Sequence, residues 1–145
     1  MKRFFEHHVP HIPLRMFDIV ADLEDYPRFV PNCKAMEVRP DPASADTVLA
    51  KMTLFFGPIT QAYTSRVVND RSGLTIKAKA VDGPFAYLDS AWSFEPEGMG
   101  TRVRFEVDFK ISNVLIAAVA EPAFAAKQAE IMQAFIDEAD RRYGD

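Results

Sequence analysis

The chain has 145 residues, 48% hydrophobic and 26% charged, with twelve phenylalanines; that is enough for one domain with a real core, and too apolar for a disordered segment. A formal charge of −4 and a pI near 5.4 disfavour nucleic acid as a partner, because such binders draw their affinity from a basic face that neutralises phosphate. The one cysteine, Cys33, excludes an internal disulfide and fits a reducing compartment.

Residues 2–9 predict a first strand. Pro13 opens a helix running to about Leu23, with Leu14, Phe17, Val20 and Ala21 as its apolar stripe. Short helical turns broken by Pro27 and Pro31 follow. From Cys33 to Ile111 the period is two, and the clearest case is Thr101–Ile111. There Val103, Phe105, Val107, Phe109 and Ile111 share one face, while Arg102, Arg104, Glu106, Asp108 and Lys110 share the other. Ala35–Arg39, Thr47–Phe56, Ile59–Val68, Leu74–Ala80 and Ala86–Phe94 alternate similarly. Asp41-Pro42, Gly57-Pro58, Asp70–Gly73, Asp82–Pro84 and Glu97–Gly100 supply the turns between them.

After Asn113 the spacing is helical to about Tyr143, through Leu115, Val119, Phe124, Ile131 and Phe135. Pro122 is expected to kink or break this helix. The order is strand, short helices, six strands, long helix: an α+β domain over residues 1–145 with a curved antiparallel sheet of about seven strands. Its apolar face needs a partner, and the long helix is the obvious one. The N-terminus lacks a secretory h-region, and the longest apolar stretch, Val114–Ala120, is too short to span a bilayer. A cytoplasmic chain is expected, in solution or peripheral on the inner face of the membrane.

Alanines at 117, 118, 120, 123, 125, 126, 129 and 134 have two readings. Small residues facing a concave sheet leave volume for a ligand, or they simply favour helix. Phe55 and Phe56 fall on opposite faces beside Gly57-Pro58, Phe85 follows Gly83-Pro84, and Val114-Leu115-Ile116 opens the last helix. Together they suggest an apolar rim that meets membrane or a hydrophobic partner; a sheet packed on both faces at that end is the alternative.

Catalytic signals are sparse. His7 and His8 point to opposite faces, Pro10 separates them from His11, and no carboxylate or Cys at ligand spacing completes a metal site. Cys33 has no nearby activating base, and no nucleophile elbow, phosphate loop or His-Glu-x-x-His run is present. Asp25, Tyr63, Arg66 and Asp89 are the polar candidates for a pocket, although Asp89 shares its face with Tyr87 and Ala91 and is expected to meet water. The balance favours a binding protein over an enzyme.

Three segments carry a resemblance. Tyr26-Pro27-Arg28-Phe29-Val30-Pro31, followed by Cys33, is similar to the Tyr-Pro-x-Phe-x-Pro and Cys of the coenzyme Q-binding proteins, a branch of the START-like, or helix-grip, superfamily. Gly83-Pro84-Phe85-Ala86-Tyr87-Leu88 with Trp92-Ser93-Phe94 resembles the family's Gly-Pro-Phe-x-x-Leu and downstream Trp-x-Phe. Phe109–Asn113 and Ala134-Phe135 complete the set, which spans nearly the whole chain. Asn32 stands where the family commonly has Trp, and Asn113-Val114-Leu115 where it has Asn-Pro-Leu.

The resemblance implies a seven-stranded sheet gripping the C-terminal helix, with a tunnel for ubiquinone or a similar polyprenyl lipid and no catalytic cofactor. It implies a quinone chaperone supporting respiration, with transient contact at the inner membrane. The expected ligand-binding residues are Phe29, Met52, Leu54, Tyr63, Leu88, Trp92, Phe105, Val107, Phe124, Ile131 and Phe135, with the head group against Trp92 and Tyr63. The expected mouth is Phe55, Phe56, Phe85, Leu115 and Ile116. A related branch is a toxin that blocks ribosomal subunit association, and the wider superfamily includes polyketide cyclases. A cyclase needs an acid or base poised in the cavity; a ribosome-directed protein needs a basic surface patch.

Overall fold

A computed structural model describes residues 1–56 and 59–144, with the side chains of Phe56 and Ile59 set aside. The strand β1 (Lys2–Val9) leads into helix α1 (Pro13–Ala21), a 3-10 turn (Leu23–Asp25) and the short helix α2 (Tyr26–Phe29). Six strands follow: β2 (Cys33–Pro40), β3 (Thr47–Phe56), β4 (Ile59–Asp70), β5 (Thr75–Ala80), β6 (Phe85–Glu97) and β7 (Gly100–Ile111). Helix α3 (Val114–Tyr143) ends the chain. The seven strands form one antiparallel sheet in the order β1-β7-β6-β5-β4-β3-β2. Each hairpin neighbour pairs with the next, and β1 closes onto β7. The fold is α+β, a curved sheet around a long C-terminal helix.

The alternation in β7 is realised as read: Val103, Phe105, Val107, Phe109 and Ile111 are buried while their neighbours meet water. At its start Gly100 lets β1 approach, since a Cβ there would lie 2.0 Å from the Val9 carbonyl oxygen.

The apolar stripe of α1 differs from expectation. Phe17 and Val20 are buried as expected and Ala21 is half-buried, but Leu14 is exposed, and Met16 and Ile19 join the buried face. The helix is wedged between the sheet and α3, so two of its sides are covered and the buried face turns away from Leu14.

Helix α3 runs unbroken through Pro122. The missing N–H leaves a carbonyl without its usual partner one turn back, but Pro122 and Ala118 are both exposed, so water can serve that carbonyl. The Asn113 side chain caps the start by accepting from the Leu115 N–H at 2.9 Å. Glu121 Oε2 accepts from the Ile111 N–H at 2.8 Å and ties the helix to the end of β7. Leu115 and Val119, read as part of the apolar stripe, are 85% and 78% exposed, and the buried positions begin at Phe124.

At the opposite end of α3 lies a charged knot. Glu138, 4% exposed, accepts from Arg141 and Arg142 on its own helix and from Arg28 on α2. Asp25 accepts from Arg28 at 2.8 Å and Arg142 at 2.5 Å. The guanidiniums, Arg141 foremost, hold the Glu138 carboxyl far below its usual range against the opposing effect of burial. This knot fastens α2 across the C-terminal half of α3.

Candidate functional site: an apolar cavity under the long helix

The sheet and α3 do not fill the space between them. A partly open cavity of about 140 Å³ remains, near the volume of an engineered apolar cavity of ~150 Å³ that accepts benzene. Its size has a cause on the sheet. Ala50 on β3 pairs with Ser65 on β4, Ala78 on β5 pairs with Ser90 on β6, and all four line the cavity. A band of methyl- and hydroxymethyl-sized side chains thus crosses four adjacent strands on the concave face. The helix side is lined by Phe124, Lys127, Gln128, Ile131 and Phe135. None of the alanines of α3 is among the lining residues, so the space comes from small residues on the sheet and not from those on the helix.

Met52, Leu54, Tyr63, Leu88, Trp92, Phe105, Val107, Phe124, Ile131 and Phe135 all line the cavity. Phe29 does not; its ring packs edge-on against Phe135 at 5.3 Å and Tyr26 at 6.1 Å, behind the wall. Sequence reasoning missed Tyr26, the band of small residues and Gln128. Period-two alternation through Ala50, Met52 and Leu54, and through Tyr63, Ser65 and Val67, carried the signal for most of them.

Aromatic side chains brace both ends. Around Phe135 gather Tyr26 (5.2 Å), Phe29 and Trp92 (5.1 Å), and Trp92 stacks on Phe105 at 4.2 Å. Around Phe124 gather Phe109 (4.7 Å) and Phe85 (5.3 Å), the latter edge-on to Tyr63 at 5.3 Å. Phe85, expected at the outer mouth, is therefore packed inward. A bulge between Phe85 and Tyr87 shifts its face, so that it joins Leu88 on the inside.

Half-exposed lining residues gather between α2, β2–β3 and α3: Pro31 and Asn32 after α2, Met36 and Met52 paired across β2 and β3, and Lys127 and Ile131 on α3, with Tyr63, Ala78 and Ser90 half-exposed farther along the sheet. Flexible thioethers at an opening suit ligands of variable shape. Asn32 has φ of 63°, a conformation Asn tolerates better than most residues. Its Nδ2 donates to the Phe55 carbonyl at 2.8 Å, and the Phe55 N–H donates to the Asn32 carbonyl at 3.0 Å, which pins the post-α2 segment to β3.

Among the expected mouth residues, Phe55 is 41%, Leu115 85% and Ile116 54% exposed. Phe56 and the Gly57-Pro58 turn fall outside the described side chains and residues. Because neighbouring strands run antiparallel, the β3–β4, β5–β6 and β7–α3 connections all lie at one end of the sheet.

Neutral groups dominate the chemistry of the wall. Tyr26 donates to the Val20 carbonyl at 2.5 Å, and burial pushes its phenol above the ordinary range, as it does that of Tyr63. Burial raises the Cys33 thiol to about 11, so it stays protonated and weakly nucleophilic at neutral pH. Lys127, the charged lining residue, sits 3.2 Å from Glu130. Asp25 is committed to the arginine knot, Arg66 to Asp41 at 3.1 Å, and Asp89 faces outward 3.8 Å from Lys79. None of these three lines the cavity. Among the described residues no acid–base pair is poised in it.

Among the described residues no group of three His, Cys, Asp or Glu is placed to hold a metal ion. His8 pairs with Glu97, and the buried His11 pairs with Asp140, each at 2.7 Å. No helix among the described residues is long and apolar enough to cross a membrane.

The chain is similar to known proteins in sequence and in fold. The chain is 30% identical over 130 residues to the ribosome association toxin RatA of Rickettsia prowazekii, covering 88% of each chain. It is 31% identical over 134 residues to the mitochondrial coenzyme Q-binding protein coq10 of Schizosaccharomyces pombe, covering 90% of this chain and 82% of the relative. Among solved structures, the ZhuI aromatase/cyclase from Streptomyces sp. R1128 superposes with a TM-score of 0.84 at 16% identity, over 98% and 96% of the two chains. A START superfamily protein from Mycobacterium smegmatis gives 0.72 at 14%, over 94% and 97%; at such identities the likeness is one of fold. Residues 9–136 match the family described as polyketide cyclase / dehydrase and lipid transport, and with that match over most of its length the chain belongs to this family.

Proposed function

We propose that residues 1–145 act as a single START-like lipid-binding domain that takes up ubiquinone or a similar polyprenyl lipid. It serves as a quinone chaperone in support of respiratory electron transport, and not as an enzyme. The observation that carries this reading is the cavity itself: apolar, braced by aromatic rings, and with no carboxylate, imidazole or thiol among its described lining residues. A cyclase on this scaffold would need such a group. The coenzyme Q-binding relative supports the same reading.

The cavity volume of about 140 Å³ suits one ring-sized group. A polyprenyl chain exceeds it, so the chain leaves between the paired methionines and α3. Phe29 supports the wall from behind. The exposed residues Phe55, Val114, Leu115, Ile116 and Val119 form the surface that meets the inner face of the membrane, weakly and reversibly, as expected without a basic amphipathic face.

A second reading has one observation in its favour. On the outer face, Arg39, Arg66 and Lys79 fall in one cross-strand row with Lys77 beside them, all exposed. Asp41 and Asp89 offset Arg66 and Lys79 in part; what basic character remains suits a ribosome-directed role like that in the name of the RatA relative.

The deciding experiment is mass spectrometry of an organic extract of the natively expressed, purified protein, run against a quinone standard. A stoichiometric quinone is the expected result. A protein that comes out empty and takes up no quinone from liposomes overturns the chaperone reading and leaves the ribosome-directed one.

A further inference from the structure

The chain has six methionines, and their surroundings differ sharply. Met16 and Met132 are sealed in the core at 1% exposure. Met99 stands 96% exposed on the β6–β7 turn, and Met1 is exposed ahead of β1; neither lines the cavity. Among the described residues only Met36 and Met52 both line the cavity and reach water, each being half-exposed.

These two are neighbours by register. Met36 on the edge strand β2 stands directly opposite Met52 on β3, and Met52 stands directly opposite Tyr63 on β4. Directly opposed Cβ atoms lie about 4.5–5.5 Å apart, so the two thioethers share one patch of wall. The Tyr63 hydroxyl donates to the Met52 sulfur at 3.4 Å. Its ring is held edge-on by Phe85 at 5.3 Å. Gly83, with φ of 98°, crosses so close that a Cβ there would lie 2.4 Å from the Tyr63 Cβ. The donor thus faces the sulfur from a fixed position.

Thioether sulfur is soft and polarizable, and peroxides oxidise it to the sulfoxide. Cys33, the other sulfur on β2, is buried, and burial raises its thiol to about 11; a protonated thiol reacts slowly. The methionines are therefore the reactive sulfurs of this wall. In the reaction a sulfur lone pair attacks one peroxide oxygen, the O–O bond breaks and the S–O bond forms. The departing hydroxide takes the proton of the transferred oxygen and leaves as water. Sulfur gives up two electrons and the peroxide gains them. A thioether is a weak acceptor and a sulfoxide oxygen a strong one, so the Tyr63 hydroxyl aimed at Met52 has a better partner after oxidation than before.

We propose that Met36 and Met52 form a peroxide-responsive modification site, whose conversion to methionine sulfoxide turns this wall from apolar to polar and loosens the cavity's hold on an apolar ligand. This rests on the proposed lipid-binding function, in which the ligand's chain leaves between these methionines and α3, and it adds a reversible control of that site. Methionine sulfoxide reductases, one for each sulfoxide epimer, restore the thioethers.

The test treats the purified full chain with graded hydrogen peroxide and maps sulfoxide at each methionine by peptide mass spectrometry. Binding of N-phenylnaphthylamine, a neutral fluorescent probe, is measured in parallel. Met36 and Met52 are expected to be converted at peroxide levels that leave Met16 and Met132 intact. Probe affinity is expected to fall roughly tenfold, the weight of one polar group brought to an apolar wall. The fall should follow Met36 and Met52 and not Met99, and should reverse when the two reductases restore the thioethers. Met36→Leu with Met52→Leu, compared with itself before and after peroxide, is expected to lose the response, and Met99→Leu to keep it. Unchanged affinity with both sulfoxides formed overturns the inference and leaves lipid binding standing. So does an equal fall in the double variant, or conversion of Met36 and Met52 only together with the sealed Met16 and Met132. Should the double variant not fold, wild type decides: affinity that stays low with both thioethers restored overturns the inference. An untreated wild type that takes up no probe sinks lipid binding and this inference together.

Discussion

Glu138 shows how a single residue can hold two elements together. It is buried, it carries charge, and three guanidiniums from α2 and α3 converge on it. Removing one member of a buried ion cluster strands the rest, at a cost of about 3–5 kcal/mol. Part of Arg28 and Arg141 reaches water, so Glu138→Gln is expected near the lower end, about 3 kcal/mol. The sign with pH follows from the depressed carboxyls of Glu138 and Asp25. Their contribution is complete above the unfolded-state values, near 4, and is lost as pH falls through the lower folded-state values. Urea midpoints at pH 7, 5 and 3.5 check this: wild type should weaken most in the last interval, and the gap to Glu138→Gln should narrow there. A gap of constant size across that range would show that the carboxylate charge is not what the knot depends on.

The strands and helices follow closely from the sequence because their signals are local. Alternation from Val103 to Ile111 is a direct consequence of the pleat, and the wet outer face reads off Arg102 to Lys110. The site was less legible, because a void depends on which small residues meet across strands. The alanine-rich stretch of α3 drew attention to the helix, whereas the space arises where Ala50 meets Ser65 and Ala78 meets Ser90. The bulge that turns Phe85 inward is likewise invisible to a strict period of two. This origin makes a prediction about the sheet. Ala50→Leu adds three carbons to a residue that is 3% exposed and borders the cavity. It should fill the space without a loss of stability, because the atoms enter a void and not a packed core. Thermal unfolding at or above the wild-type midpoint, together with lost uptake of quinone from liposomes, is the expected result. Undiminished uptake would place the ligand elsewhere.

Viewed whole, the molecule has two unlike ends. The β6–β7 hairpin carries Met99, 96% exposed, amid Glu97 and Arg102. The opposite end carries Phe55 and the uncharged opening turns of α3. The sequence places Val114-Leu115-Ile116 on an exposed apolar rim, while the helical spacing of Leu115 and Val119 also lines them up with Phe124. Packing leaves them outside, since the buried positions of α3 begin at Phe124. Val114, Leu115, Ile116 and Val119 remain 54–85% exposed, a grouping larger than isolated surface hydrophobics and one that calls for an occupant. Were that occupant a bilayer, insertion of a few aliphatic side chains at about 25 cal/mol per Å² would give weak, reversible attachment. The driving force would be apolar, so it should survive high salt and need no anionic lipid, unlike docking through a basic patch. Flotation with neutral phosphatidylcholine vesicles at low and high salt separates these cases. Leu115→Ser with Val119→Ser should abolish flotation, and Met99→Ser, equally exposed but at the far end, should leave it intact. Equal flotation of the two variants would remove the α3 surface from consideration, and flotation confined to low salt with anionic vesicles would assign attachment to the basic outer row.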